Sequence, residues 1–435
     1  MTADQDAQAD AGTAEGQGPV EIDEELARHL ENKREELFEK FDLRDEFPPE
    51  VVEEAEQRTT DVQEEIQDEV DEREDLRELT AFTVDPIDAQ DFDDALSIDI
   101  REDEIVLYVH IADVTHYVNP ETAMWDEAVE RGNTVYLPGY TIHMLPPVLA
   151  ETVCSLVPNE DRLAHTVEMH LDPENLGYEN IEIYKSVIRS DERLTYTQAE
   201  NRLEDPDADL HDELSEVWEL ADEMHEQRKE DGSLVLNPKR DRAHTIIEEC
   251  MLKANKAVTH ELQWNRGLEA MFRVHPQPTP QEWDEALQEI QDLDGVSIPG
   301  DAWDDPRKAV NATLEEAPGR QLDKIQWAVM KVMPRAKYMS DPFGGHHALN
   351  FEIYGHFTSP IRRLSDLVNH WIIYTNEVPE GIADLCDHAS DKQKDGETCE
   401  RIYKDFLEEV GLDPHAVNNR GIEIVEDPED AEYTA

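Results

Sequence analysis

Five aspartates fall within ten positions at the start of the stretch "DPIDAQDFDDALSI" (85–98), and four of them, Asp85, Asp91, Asp93 and Asp94, are the candidate site residues. Carboxylates placed this close together repel one another strongly unless they are protonated or bind a cation. Oxygen ligands suit Mg²⁺ or Mn²⁺ rather than zinc. Two such ions about 3.5–4 Å apart can activate water and stabilise a leaving oxygen in phosphodiester hydrolysis. The pattern therefore predicts a metal-dependent catalytic site, and the alternatives are a solvated acidic loop or a Ca²⁺ loop, although the EF-hand order is absent.

The aspartates converge only if the backbone bends. In an extended chain, Asp91 and Asp93 point to one side and Asp94 points to the other. Asp85 precedes a proline, which favours an extended or turn conformation. The alternating runs "ALSIDI" and "IVLYVHIADV" follow, joined by the polar segment "REDE", and this pattern is typical of a β-hairpin. We predict that the aspartate cluster lies just before, or at the start of, the first strand of this hairpin.

A second stretch, "FTSPIRRLSDLVNHW", brings two arginines to the predicted start of a helix. Ser359 is the predicted N-cap, with Pro360 in the first turn. Arg362 and Arg363 then lie where the helix already carries partial positive charge, which favours a docked anion such as phosphate. The alternative is a local ion pair with Asp366. We expect one arginine to face a substrate and the other to be structural.

The rest of the chain predicts an α+β fold. Period-two segments continue in "LAHTVEMHLDP" and "YENIEIYKSVIRS", whereas helical periodicity dominates the second half. The predicted helices before and after the sheet are 21–44, 50–78, 117–132, 195–204, 210–230, 244–263, 279–293 and 358–376. The class is therefore an antiparallel sheet followed by a helix-rich half.

The composition is extremely acidic, with 105 Asp and Glu against 38 Lys and Arg and a net charge of −67. Such charge favours disorder, but seven Trp, twelve Tyr and regular apolar periodicity argue against disorder in the middle of the chain. At molar salt the Debye length falls to about 3 Å, so self-repulsion is screened. We therefore expect a halophilic protein over positions 76–405.

Location is predicted from absences and from cysteine usage. No run of eighteen apolar residues indicates a membrane span, and the acidic start of the chain lacks the apolar core of a signal peptide. The four cysteines form no C-x-x-C pair. A reducing cytoplasm is the expected location.

Several of these stretches occur together in one order: "DPIDAQDFDDALSI", "VHIADVTHYVNP", "RGNTVYLPGYTIHMLPPVLAE", "CSLVPNEDRLA", "IEECMLKANKAV", "FRVH" and "HFTSPIRRLSDLVNH". Over roughly residues 72–405 the chain resembles the catalytic domain of the ribonuclease II and ribonuclease R family. The resemblance implies a processive, hydrolytic 3′–5′ exoribonuclease that degrades single-stranded RNA to 5′-nucleoside monophosphates. It also implies that the helix-rich half helps to enclose an RNA channel, with two Mg²⁺ ions (or Mn²⁺) at the site.

The resemblance also implies roles for individual residues. Asp85, Asp91, Asp93 and Asp94 match the four acidic catalytic positions, where carboxylates ligate metal directly or through water. Arg362 matches the arginine that contacts the scissile phosphate.

The expected RNA contacts complete the site. Tyr136 matches an aromatic residue that stacks on a base near the 3′ end, and stacking tolerates any sequence. Glu400 is aligned with an acidic position that contacts substrate. Phe272 is a candidate for the second aromatic of the stacking clamp, and Arg363 is a further candidate for RNA binding.

The expected domain organisation has four parts: a disordered acidic tail (1–20), an acidic helical extension (21–75), the catalytic domain (76–405) and a short acidic tail (406–435). The RNA-binding barrels that flank bacterial relatives have no counterpart in this pattern, so accessory RNA-binding proteins are possible partners. Because the net charge opposes RNA, we expect affinity to lie inside the channel, which cations in "NPKRDR" and "KVMPRAK" could line. The alternatives are a catalytically inactive RNA-binding relative and an acidic ion-binding or interaction protein.

Overall fold

A computed structural model describes residues 18–59, 62–101, 104–237, 240–300 and 305–425. The β-strands within these ranges are β1 (Val20–Ile22), β2 (Glu74–Asp75), β3 (Phe82–Asp85), β4 (Asp94–Ile100), β5 (Ile105–Ala112), β6 (Val135–Leu137), β7 (Tyr140–Ile142), β8 (Asp161–Leu171), β9 (Tyr178–Arg189), β10 (Glu192–Thr195), β11 (Phe272–Val274), β12 (Lys337–Met339) and β13 (Ile422–Ile424).

The α-helices in the same ranges are α1 (Glu24–Phe41), α2 (Pro49–Arg58), α3 (Val62–Glu69), α4 (Ala123–Arg131), α5 (Tyr196–Glu204), α6 (His211–Glu230), α7 (Arg242–His260), α8 (Pro280–Gln291), α9 (Pro306–Glu316), α10 (Leu322–Val332), α11 (Leu364–Thr375), α12 (Ile382–Glu409) and α13 (Pro414–Arg420). Short 3₁₀ turns lie at Val70–Glu72, Val114–His116 and Gly319–Gln321, and π-helical turns lie at Val148–Val153 and Glu261–Asn265.

A seven-stranded sheet with the order β10-β3-β4-β5-β8-β9-β2 forms the centre of the protein. The strands from β3 to β9 pair antiparallel, and β4 and β5 form the predicted hairpin. The α+β class is therefore confirmed. The sheet departs from the predicted antiparallel arrangement at its two edges, where β10 pairs with β3, and β2 pairs with β9, in parallel.

Helices cover the sheet because their apolar faces pack against its apolar side chains and form one core with them. The main core joins residues of the central strands, such as Leu107 and Val167, with Ile246 of α7 and Leu367 of α11. The helices α8, α9 and α10 enclose a second, smaller core. Within the described ranges, no helix is long and apolar enough to cross a lipid bilayer.

The acidic helical extension predicted over 21–75 does not form one separate unit. The predicted helix 50–78 is divided into α2 and α3, and Val51, Ala55 and Ile66 are buried in the main core. Strand β2 then joins the edge of the central sheet. Apolar residues on these two helices are buried in the same core as the central sheet, so the extension packs against the domain that follows it, and the boundary at position 75 stays a prediction.

The two ends of the described chain form a third core, and we call residues 18–43 with 399–425 the terminal module. Its buried residues include Ile22 of β1 and Leu37 of α1 from the first segment, and Leu407 of α12 and Val417 of α13 from the second segment. Strand β1 pairs in parallel with β13. The predicted C-terminal tail is therefore corrected: residues 406–425 are folded, whereas 426–435 lie outside the described residues, as do residues 1–17 of the predicted N-terminal tail.

Candidate active site

The aspartate cluster straddles a connection between two neighbouring strands. Asp85 is the last residue of β3, and Asp94 is the first residue of β4, which pairs with β3. Residues 86–93, which we call the aspartate loop, reverse the chain between them. The predicted position at the start of the hairpin is confirmed, and the loop supplies the bend that lets the carboxylates approach.

The hydroxyl of Ser155 anchors the aspartate loop at Gln90 and Phe92. Its hydroxyl oxygen accepts a hydrogen bond from the N–H of Phe92 at 2.9 Å and donates to the carbonyl of Gln90 at 2.8 Å. The N–H of Leu156 donates to the carbonyl of Phe92 at 3.0 Å. Sequence reasoning did not find Ser155, because a lone serine carries no spacing signal.

Asp93 joins the aspartate loop to the arginine stretch. One of its carboxylate oxygens accepts from the N–H of Ile361 at 2.9 Å, and the other accepts from Nε of Arg362 at 3.2 Å. Nη2 of Arg362 donates to the hydroxyl of Ser359 at 3.0 Å. Nη1 of Arg362 has no partner among the described residues, so it remains able to bind a ligand anion.

The predicted helix start at Ser359 is wrong. Residues 360–362 form a turn, and α11 begins only at Leu364. The reason is that Arg363 is extended and forms a β-bridge with Asn133. The N–H of Thr134 donates to the carbonyl of Arg362, and the N–H of Leu364 donates to the carbonyl of Gly132, both at 2.9 Å. The arginines therefore precede the helix.

Arg363 forms the local ion pair that was the alternative for these arginines. Its Nη2 donates to Asp366 at 2.6 Å, and Asp366 is fully buried. Ser365 donates to the other carboxylate oxygen of Asp366 at 2.8 Å. This ion pair gives Arg363 a structural partner, whereas Arg362 binds Asp93 of the aspartate loop.

Tyr136 lies on β6 and reaches the aspartate loop from the other side. Its hydroxyl donates to Asp91 at 3.0 Å, and its backbone N–H donates to Glu400 at 2.9 Å. The residue is 39% exposed. The N–H of Thr134 donates to the carbonyl of Arg362 at 2.9 Å. This bond fixes β6 beside residues 360–362, which we call the arginine turn. The structure thus places Glu400 directly behind the backbone of Tyr136.

Burial and mutual repulsion dominate the electrostatics of the cluster. Burial, reinforced by the charge of Asp94, raises the pKa of Asp85 to about 8. Burial raises the pKa of Asp94 to about 6 and that of Asp93 well above its ordinary value, while Arg362 opposes both shifts. Burial lowers the pKa of Arg362, but Tyr136 and the aspartates outweigh it and hold that pKa above its ordinary value.

The donor set at Asp85 and Asp94 fits a hard divalent cation. One carboxylate oxygen of Asp85 is buried without a hydrogen-bond partner, and the charge of Asp94 helps to raise the pKa of Asp85. Two carboxylates that resist joint ionisation gain from a shared cation. Mg²⁺ commonly binds through one or two carboxylates and keeps several waters.

The predicted four-carboxylate site is divided in the structure. Both oxygens of Asp93 accept from the arginine turn, and one oxygen of Asp91 accepts from Tyr136. Across the ranges that the structure describes, no three His, Cys, Asp or Glu side chains are grouped as a metal cage. Asp85 and Asp94 are therefore the carboxylates best able to bind a cation directly.

Tyr196 is a further aromatic residue of the site, which sequence reasoning missed. Its ring stacks on His244, with centroids 3.7 Å apart and planes inclined by 3°. The preceding residue, Thr195, pairs with Asp85 across β10 and β3, so Tyr196 follows directly beside the cluster. Burial and the charges of Asp85 and Asp94 raise the pKa of Tyr196. The sequence signal here was only the helix-capping pattern at Thr195.

Phe272 does not provide a stacking surface. Its side chain is 1% exposed and belongs to the main core on β11. A base needs an open ring face, so this prediction is corrected.

The two basic segments that were candidates for the channel wall are largely paired with acids. Arg240 contacts Glu248, Arg242 contacts Glu200 at 2.9 Å, Lys331 contacts Glu289 at 2.6 Å and Arg335 contacts Glu397. Pro238 and Lys239 lie outside the described residues. These contacts indicate scattered cations that are neutralised by acids, and they do not support the expectation that the two segments line a channel.

The chain is similar to known proteins in both sequence and fold. The family model described as "RNB domain" matches residues 73–377. Ribonuclease R of Aquifex aeolicus is 36% identical over 364 residues, which cover 78% of this chain and 50% of that protein. The chain thus spans about half the length of the curated relatives that it matches.

Solved structures show the same fold. Mycoplasma genitalium RNase R in complex with ribose methylated single-stranded RNA has a TM-score of 0.76 at 25% identity, covering 87% of this chain and 64% of that one. Yeast Ssd1, described as a pseudonuclease, has a TM-score of 0.68 at 22% identity, covering 79% of this chain and 46% of that one, and this likeness concerns the fold alone.

Proposed function

Because this chain belongs to the RNB domain family, we propose that it is a hydrolytic exoribonuclease. It degrades single-stranded RNA processively from the 3′ end and releases 5′-nucleoside monophosphates in RNA turnover. The observation that carries this proposal is the junction of Asp93 with Arg362, which places a guanidinium beside two further carboxylates able to hold a cation. Phosphoryl transfer needs this combination of positioning and charge neutralisation.

In this proposal Asp85 and Asp94 hold Mg²⁺, with Mn²⁺ as a possible replacement and a second ion as the expectation from the family. When bound there, the metal would lower the pKa of a bound water and neutralise charge on the scissile phosphate. Asp93 orients Arg362 through Nε, so that Nη1 faces the phosphate oxygens. Asp91 fixes the hydroxyl of Tyr136, and the ring stacks on a base near the 3′ end.

The surface charge imposes a condition on this activity. A protein with a net charge of −67 repels RNA at low salt. Molar salt screens this repulsion at the surface but screens buried contacts much less. We therefore propose a halophilic, cytoplasmic enzyme whose affinity lies in the buried contacts, and to which accessory RNA-binding proteins deliver substrate.

The test uses a 5′-labelled single-stranded RNA in molar KCl with Mg²⁺, followed on a sequencing gel. Wild-type protein should shorten the RNA progressively from its 3′ end, and Asp94→Asn should abolish the shortening without unfolding the protein. Chelation of the metal should have the same effect. The matched control is Asp99→Asn, an acidic position on the same strand that pairs with Arg101 at the surface.

Other outcomes would select the alternatives. A folded wild type that binds the RNA but never shortens it would be a catalytically inactive RNA-binding relative. Neither binding nor cleavage would favour an acidic ion-binding or interaction protein. The carboxylate set of Asp85, Asp91, Asp93 and Asp94 supports the catalytic reading, because a protein that only binds RNA gains nothing from clustered negative charge.

A further inference from the structure

Two loops of the candidate site meet at one short helix. Nδ2 of Asn418, on α13, donates a hydrogen bond to Asp88 at 2.7 Å, and Asp88 lies at the tip of the aspartate loop. The preceding residue, Val417, contacts Gly139 in the turn that follows Tyr136. A Cβ atom at Gly139 would lie 3.1 Å from Cγ1 of Val417. Two consecutive residues of α13 therefore contact two parts of the site: Asn418 contacts the aspartate loop, and Val417 contacts the β6–β7 hairpin that carries Tyr136.

The hairpin depends on the same helix for its orientation. Val135 and Leu137, which flank Tyr136, are each 2% exposed and belong to the core of the terminal module together with Val417. Successive side chains of a strand point to opposite faces. Burial of these two neighbours consequently directs Tyr136 away from that core and towards Asp91.

The tip of the aspartate loop has little other support. Ile87 is 60% exposed, and Asp88 is also exposed. The anchors made by Ser155 and Arg362 act at the far end of the loop, on residues 90–93. At the near end, Arg193 donates to the carbonyl of Pro86. The contact from Asn418 is thus the side-chain anchor at the tip itself, between these two ends.

Both ends of the described chain fix α13 in place. The N–H of Val20 donates to the carbonyl of Gly421 at 2.9 Å, directly after the helix, and β1 then pairs with β13. Nε of Arg420 donates to the carbonyl of Gly18 at 2.7 Å. The position of α13 therefore depends on the pairing of the two ends.

We propose that α13 is a positioning element of the active site, with Asn418 and Val417 setting the aspartate loop and the Tyr136 hairpin at a fixed separation. This inference rests on the proposed exoribonuclease function. Neither residue touches substrate in this arrangement. They act by setting the position of Asp85 relative to Asp94. Small misplacements of reacting groups lower the reaction rate strongly.

The test introduces a negative charge at the contact. Asn418→Asp places a second carboxylate against Asp88, and Asn419→Asp adds the same charge at the adjacent exposed position, where no contact with the loop is present in the described residues. The double variant Asp88→Asn/Asn418→Asp restores the hydrogen bond with donor and acceptor exchanged. Each protein is measured for kcat, for KM, for RNA affinity in EDTA and for deuterium uptake of residues 86–94.

Asn418→Asp should lower kcat about tenfold with unchanged RNA affinity, and should raise deuterium uptake over residues 86–94. Asn419→Asp should match the wild type, and the double variant should recover most of the lost rate. Equal behaviour of the two single variants, or loop uptake that does not change, would overturn the proposal. If the wild type shortens no RNA, the exoribonuclease function fails, but the uptake comparison still decides the positioning role.

Discussion

Asp93 and Arg362 lie 269 positions apart in the sequence, yet Nε of the arginine donates to the aspartate at 3.2 Å. The N–H of Ile361 donates to the same carboxylate. The two stretches with chemical signals are thus joined by a single buried side chain, and this junction determines how the neighbouring arginines divide their roles.

The first prediction separates the two arginines. Arg362→Ala should lower kcat by about 10²–10³-fold, because it removes a donor aimed at developing phosphate charge. Arg363→Ala should instead lower the free energy of unfolding by about 3 kcal/mol, because it leaves the buried Asp366 without its ion pair. Steady-state kinetics and denaturant unfolding of both variants check this. Similar losses of rate with unchanged stability in both would contradict the division.

The second prediction concerns metal removal. Without metal, Asp85 is buried with one unpartnered oxygen, so ionising it is unfavourable in the folded state. Asp85→Asn should therefore raise the free energy of unfolding of the metal-free protein at pH 8 by about 1–3 kcal/mol. Mg²⁺ should raise the Tm of the wild type and leave that of the variant nearly unchanged. Thermal unfolding with and without EDTA measures both effects.

The third prediction concerns pH. The folded pKa of Asp85 is raised from 3.8 to about 8, so the folded protein binds more protons than the unfolded chain between these values. The stabilising contribution is complete below the unfolded pKa and is lost as the pH rises to about 8. Mg²⁺ must displace the bound proton. The Mg²⁺ concentration for half-maximal activity should therefore fall as the pH rises from 6 to 8, and a flat profile would contradict the burial of this carboxyl.

The fourth prediction concerns the loop anchor. Ser155→Ala leaves the N–H of Phe92 buried without its acceptor, which should cost about 1–3 kcal/mol of folding free energy and also lower kcat. Ser190→Ala is the matched control, since Ser190 is equally buried but bonds only to the carbonyl of Glu192 at 3.3 Å. Equal kinetic effects of the two variants would indicate that Ser155 does not orient the aspartates.

The fifth prediction concerns salt. Screening of the net charge of −67 should raise the Tm by about 10 °C between 0.1 M and 2 M KCl. RNA shortening should persist at molar KCl, because the Asp93 carboxylate that holds Arg362 is buried and its ion pair is screened less than pairs at the surface. Circular dichroism melts and gel assays across the same KCl series test this pair of expectations. Inactivation at molar KCl by a protein that is folded at low salt would refute the halophilic interpretation.

Local patterns allowed part of this structure to be predicted. The alternation after Asp94 is a property of adjacent residues, so the β4–β5 hairpin and the position of the aspartates before it followed directly from the sequence. The aromatic Tyr136 and the arginine Arg362 were found through the resemblance of their motifs, and the structure places both beside the aspartates.

The rest depended on contacts between distant segments. The start of α11 was misplaced because Arg363 is held extended by a β-bridge to Asn133, which lies 230 positions earlier in the chain. Phe272 was misjudged because ring exposure depends on packing rather than on motif. The anchors at Ser155 and Asn418 bind partners 63 and 330 positions away, and no short pattern reports such distances.

The parallel pairing of β1 with β13 also has a mechanical consequence. A pulling force applied between Val20 and Ile424 acts along the two strands in opposite directions, so it loads the register Val20↔Ile422, Glu21↔Glu423 and Ile22↔Ile424 in shear. The hydrogen bonds of such a ladder resist together rather than opening one at a time. Once they slip, α13 is drawn away from Asp88, so tension on the ends of the chain would reach the aspartate loop before the central sheet is strained.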